Sequence, residues 1–109
     1  MNAAGLVFVL GGISPVLGMP MFQTLVTDGS ISQNEFDGTR ENVAAVLATL
    51  KKTPLDKIEA MVSQYNDVLT EQLDTFQAKW TMDYLTAFRA AQIMVGFVST
   101  IMAKSGLST

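Results

Sequence analysis

Residues 53–104, TPLDKIEAMVSQYNDVLTEQLDTFQAKWTMDYLTAFRAAQIMVGFVSTIMAK, carry the signal that decides the fold class. Thr53, Pro54 and Asp56 read as a helix start: a threonine N-cap, proline at the first helical position, and an acid in the first turn. Beyond them there is no proline before Lys104, and Gly96 is the only glycine. Ile58, Val62, Tyr65, Leu69, Leu73, Phe76, Trp80, Tyr84 and Ala87 recur every three or four residues. Such steps average about 3.6 and mark a helix that buries one stripe. Ser63, Asn66, Asp67, Thr70, Glu71, Asp74 and Gln77 fill the opposite side. The spacing predicts one long helix over about 54–104, roughly 75 Å long at 1.5 Å per residue.

Upstream, Asp28-Gly29 is a turn dipeptide, and Ser32 to Glu35 fits a capping box. Phe36, Val43, Val46, Leu47 and Leu50 follow at helical spacing, which predicts an amphipathic helix over about 33–51. Lys51 and Lys52 suit its C-terminal end, where the helix dipole favours cations. The first 27 residues contain no charged side chain and are punctuated by Gly11, Gly12, Pro15, Gly18 and Pro20. Proline removes a donor and clashes with the preceding turn. The expectation here is therefore a short apolar piece near Gly5–Leu10, a break, and a second helix from Pro15 or Pro20 to about Val26. The segment makes a poor secretory signal, since no basic region precedes it. The predicted fold class is all-α: a broken apolar N-terminal segment over 1–27, then a helical hairpin over 28–109 with an apolar C-terminal end.

The chain has 109 residues, seven basic against ten acidic, for a net charge of −3. That acidic balance offers no electrostatic footprint for a nucleic-acid backbone. It contains no cysteine and no histidine, which removes disulfides, thiolate or imidazole metal sites and histidine-based catalysis together. Charge is concentrated: all ten acids and six of the seven bases lie between Asp28 and Arg89. Apolar ends thus flank a charged middle.

Several constellations bear on chemistry. Thr24 to Glu35 resembles an EF-hand calcium loop in its second half, with Asp28, Gly29, Ile31 and Glu35 at the matching places. The first and third ligand positions are Thr24 and Val26, which departs from the carboxylates that the resemblance implies. A turn followed by a capped helix explains the same residues. Asp67, Glu71 and Asp74 share a helical face but have no ExxH partner for a di-metal centre and read as a solvated face. Ser14 has no histidine, and no GK[ST] follows Gly11-Gly12. No cofactor, no metal and no catalysis is the expectation.

The C-terminal end is more suggestive. Ala87, Ala91, Val95, Ser99 and Ala103 recur every four residues beside Gly96 and Thr100, a ridge of small side chains that permits close helix approach. Phe88, Ile93, Met94, Phe97, Val98, Ile101 and Met102 leave that helix almost no polar face. Such a helix belongs in a core, a membrane or an assembly. Packing against the N-terminal apolar segment is the plainest of these. A span over Tyr84–Ala103 has bilayer length but would carry Arg89 at a cost of about 2.5–3.5 kcal/mol if central. Burial against other subunits avoids that cost.

Residues 40–104 resemble the needle and inner-rod subunits of type III secretion systems in three features. These are Leu50–Pro54 as a turn, Tyr65-Asn66 in the second helix, and an apolar C-terminus. The resemblance implies a short helical hairpin whose C-terminal helix packs into a tube; the N-terminal 27 residues depart from it. The expectation is a non-enzymatic structural subunit that assembles with copies of itself, as in a secretion conduit or virion, with other subunits or a membrane as further contacts. Two alternatives stand beside it: a small holin-like or accessory membrane protein, and a soluble helical partner-binding protein.

Overall fold

A computed structural model of the chain describes residues 1–107. The fold is all-α. Among the described residues six helices follow in order: α1 (Ala3–Leu17), α2 (Pro20–Thr27), α3 (Gln33–Lys52), α4 (Leu55–Gln64), α5 (Asn66–Trp80) and α6 (Tyr84–Lys104). Together they measure 43 × 26 × 19 Å.

The helix starts follow local chemistry. Asn2 caps α1, its Oδ1 accepting from the Gly5 N–H at 2.7 Å. Pro20 opens α2, as its fixed φ favours. Ser32 Oγ accepts from the Glu35 N–H at 3.0 Å, the expected first half of a capping box. The second half is not made, because the Glu35 carboxylate accepts instead from Arg89. Lys51 and Lys52 end α3 as expected. Asp83 caps α6 by accepting from the Thr86 N–H and hydroxyl at 2.8 and 2.9 Å. Those two bonds hold its carboxyl below the ordinary carboxylate range, so the cap is ionised and intact at neutral pH.

Three expectations are corrected. The helix foreseen over 54–104 is three helices, interrupted at Tyr65 and at Thr81–Asp83. The first interruption is one residue with φ −111° and ψ 23°. The second is a reversal that lays α6 back along α5, the most extensive helix pairing in the fold. Folding back covers the apolar stripe without a partner, and that burial outweighs the few backbone bonds a straight rod would keep. Second, Thr53 does not cap α4. Its hydroxyl turns back to the Thr49 carbonyl at 2.7 Å, and Pro54 stands at the N-cap. Third, α1 does not break after Leu10 but continues through Gly11, Gly12 and Pro15 to Leu17. Pro15 lies two residues from the helix end and exposed, so the Gly11 carbonyl that it leaves free faces solvent. The break falls at Gly18–Met19, where α1 and α2 meet at 60°.

One core runs through the molecule. Ala3, Leu6, Leu10, Ile13 and Leu17 of α1 bury the inner stripe of that helix against α3, α4 and α6. Phe36 stacks on Phe88 at 6.0 Å, joining α3 to α6. Phe22 joins α2 to Trp80 and Tyr84, and Phe76 tilts against Trp80 at 5.0 Å. Within a single chain, one stripe of α1 and nine residues of α6 are thus covered.

Candidate interaction surfaces

The residues foreseen as a core stripe are mostly inside. Ile58, Val62, Leu69 and Phe76 are buried, Tyr65, Leu73 and Trp80 are half-buried, and Tyr84 is 51% exposed. The small-residue ridge on α6 divides. Ala87, Ala91 and Val95 are buried, whereas Gly96, Ser99, Thr100 and Ala103 are exposed. The reason is geometric. A step of four residues advances 400° around an α-helix of 3.6 residues per turn, so each step drifts by about 40°. Over four steps from Ala87 to Ala103 the series turns through about 160°, from the core to the opposite side.

Where the ridge turns outward it forms one wall of a recess between α3 and α6. That recess holds about 320 Å³ and is lined by Thr39, Asn42, Ala45, Gln92, Gly96 and Ser99, among others. A polar cluster closes one end. Arg89 Nη1 donates to Glu35 Oε2 at 2.7 Å and to Gln92 Oε1 at 3.0 Å, and Gln92 Nε2 donates to Thr39 Oγ1 at 3.1 Å. The bonds from Arg89 and Gln92 hold the Glu35 carboxyl below its ordinary range. Arg89, which would be costly in lipid, here has a carboxylate partner at the protein surface.

The carboxylates of the loop resembling an EF-hand are occupied in separate tasks. Asp28 accepts from the Ser30 N–H at 2.9 Å in the turn after α2, and the Ser30 hydroxyl and N–H together hold its carboxyl below the ordinary range, while Glu35 is tied to α6. Among the described residues, no group of three or more carboxylates is placed to hold a metal ion.

Sequence reasoning missed the outer face of α1. Its buried positions 3, 6, 10, 13 and 17 alternate with 4, 8, 11, 12 and 15 on the opposite side. These are Ala4, Phe8, Gly11, Gly12 and Pro15, all exposed, and none carries a polar atom in its side chain. Phe8 is 82% exposed, and nothing lies within 4 Å of where a Cβ would stand on Gly11 or Gly12. A projecting ring therefore sits one turn from a flat, open stretch of backbone. On α6 the outward side is mixed: Ile93 is 56% exposed, but Arg89 and Lys104 share the surface with it. The uncharged run 1–27 has no alternation to show this face, and its glycines and prolines read as breaks.

Comparison with family models, with curated proteins and with solved structures finds no match to this chain.

Proposed function

We propose that this protein is a non-enzymatic structural subunit that assembles with copies of itself through the outer face of α1. The observation that carries this reading is that face: a helical surface with no polar side chain, bearing Phe8 beside Gly11-Gly12. Exposed apolar surface of this kind marks association or lipid contact on soluble folds. A ring on one copy and a glycine flat on another are complementary under a two-fold axis, each copy contributing both parts. Glycine lets the two backbones approach closely enough for the ring to be covered.

A second reading, a small membrane-associated protein, is supported by α6. This helix has 21 residues and a mean hydropathy of 1.4 over its most apolar window, enough to cross a bilayer by length and composition. Half of that window is buried inside the fold, which weighs for the first reading.

Sedimentation velocity with and without detergent tests both. A structural subunit sediments as particles larger than one chain in plain buffer, and Phe8→Glu disperses them to single chains while the helical circular dichroism and melting temperature stay as in the parent. Particles unaffected by Phe8→Glu would remove the α1 face from the assembly. A chain that needs detergent to stay in solution would support the membrane reading, and a small detergent-free monomer would point to a partner-binding bundle.

A further inference from the structure

The turn between α5 and α6 is made of Thr81, Met82 and Asp83, and nothing in it requires a turn. It contains no glycine or proline, and no non-glycine residue among those described has a positive φ. Its residues can all be helical. The helical phase also runs straight through it: Leu69, Leu73, Phe76 and Trp80 on α5 continue into Tyr84, Ala87 and Ala91 on α6 in steps of three and four. Two helices that meet only as a hairpin have no need of a shared phase. Phe22 touches both Trp80 and Tyr84, with centroids 6.0 and 5.5 Å away. Residues four apart are neighbours on a single helix, so a continuous helix presents the same pair of rings. Met82 is 71% exposed, and straightening the turn uncovers nothing there. Within the turn itself, what holds the reversal is small: the Met82 N–H on the Lys79 carbonyl at 3.2 Å, and the Asp83 cap on Thr86.

We propose that this turn is an exchange hinge. It straightens to join α5 and α6 into one helix over 66–104, and α6 crosses to a second copy of the chain, which returns its own. The contacts α6 makes with α5, α2 and α3 are then re-formed between chains, so the closed and exchanged states differ mainly in two turns and two caps. The joined helix of 39 residues spans about 58 Å at 1.5 Å per residue, longer than the 43 Å of the closed chain. The hinge rests on the reading of this protein as self-associating only in that it needs a second copy. It does not use the face of α1.

The test exploits the absence of native cysteine. Thr75 and Ile93 are exposed and border one recess between α5 and α6. A chain carrying both Thr75→Cys and Ile93→Cys, spin-labelled, calibrates the short distance across the hairpin. Chains carrying one label each are then mixed and incubated, and pulsed electron resonance reads the distance between them. The expected result is the same short distance between different chains. Asp83→Ala removes a cap worth about fivefold per hinge, so a dimer with two hinges gains about 25-fold. Three glycines inserted between Met82 and Asp83 keep the hairpin, deny the continuous helix and abolish the interchain signal. If the doubly labelled chain shows the short distance and mixed single-label chains never do, in parent or Asp83→Ala at up to millimolar concentration, the hinge is overturned. The Phe8→Glu background separates the two ideas: there the particles built on α1 disperse, while the interchain distance persists.

Discussion

α1 and α6 are the two long charge-poor helices among the described residues, and they resolve the same problem differently. α6 is packed by α5, α2 and α3, and nine of its residues are buried. Its ends are polar: Asp83 caps the first turn, Arg89 pairs with Glu35, and Lys104 closes the last turn. α1 is embraced from one side only, with five residues buried and no charged side chain anywhere along it. Both segments look alike on a hydropathy scale. The difference lies in what occupies the surface that the core does not need: charge and small polar groups on α6, bare hydrocarbon and glycine on α1. Apolar composition alone therefore does not locate an interface. The polarity of the leftover face does.

The comparison breaks most severely if the inner stripe of α1 is only loosely attached. Phe88 and Leu10 are both fully buried. Phe88→Ala is expected to cost about 3–5 kcal/mol and Leu10→Ala about 2–5 kcal/mol of unfolding free energy in urea titration. A Leu10→Ala cost under about 0.5 kcal/mol would mean that α1 is not integral to the fold. Next in size comes the divided ridge on α6. Ala91→Leu overpacks a buried site and is expected to cost about 1–3 kcal/mol. Ser99, four positions beyond the buried Val95, faces solvent, so Ser99→Leu is expected to stay within about 0.5 kcal/mol of the parent. Equal costs would contradict the drift of the four-residue series. The smallest effect sharpens the α1 side. Gly11 has open space around it, so Gly11→Ala should raise stability by about 0.5–1 kcal/mol through helix propensity. In the same variant, self-association measured by sedimentation should weaken, because a methyl group fills the flat that receives Phe8.

Much of the secondary structure was legible where side chains act on their own backbone. Ser32 and Pro20 mark helix starts, the lysines end α3, and the period of Phe36 to Leu50 sets the buried face of that helix. The missed features are those where tertiary burial overrides local preference. Thr81–Asp83 has no residue that breaks a helix, and only the gain from laying α6 on α5 makes it a turn. Pro15 reads as a break, yet near a helix end on an exposed face it removes a single bond. The ridge from Ala87 to Ala103 was legible as a repeat, but its period of four hides a slow rotation that places its halves on opposite sides. The outer face of α1 was invisible for a related reason: in a run that is apolar throughout, no alternation shows which side the core will take.

The packing of α1 also bears on how the chain is made. Its partners α3, α4 and α6 all come later in the sequence, and its first backbone donor is satisfied by the Glu59 carboxylate, 56 residues downstream of Ala3. Ribosomes add about 5–20 residues per second, so several seconds pass before Glu59 has been polymerised, and longer before α6 emerges. During that interval a greasy nascent helix lacks part of the surface that will cover it, which makes it a natural client for whatever shelters newborn polypeptides.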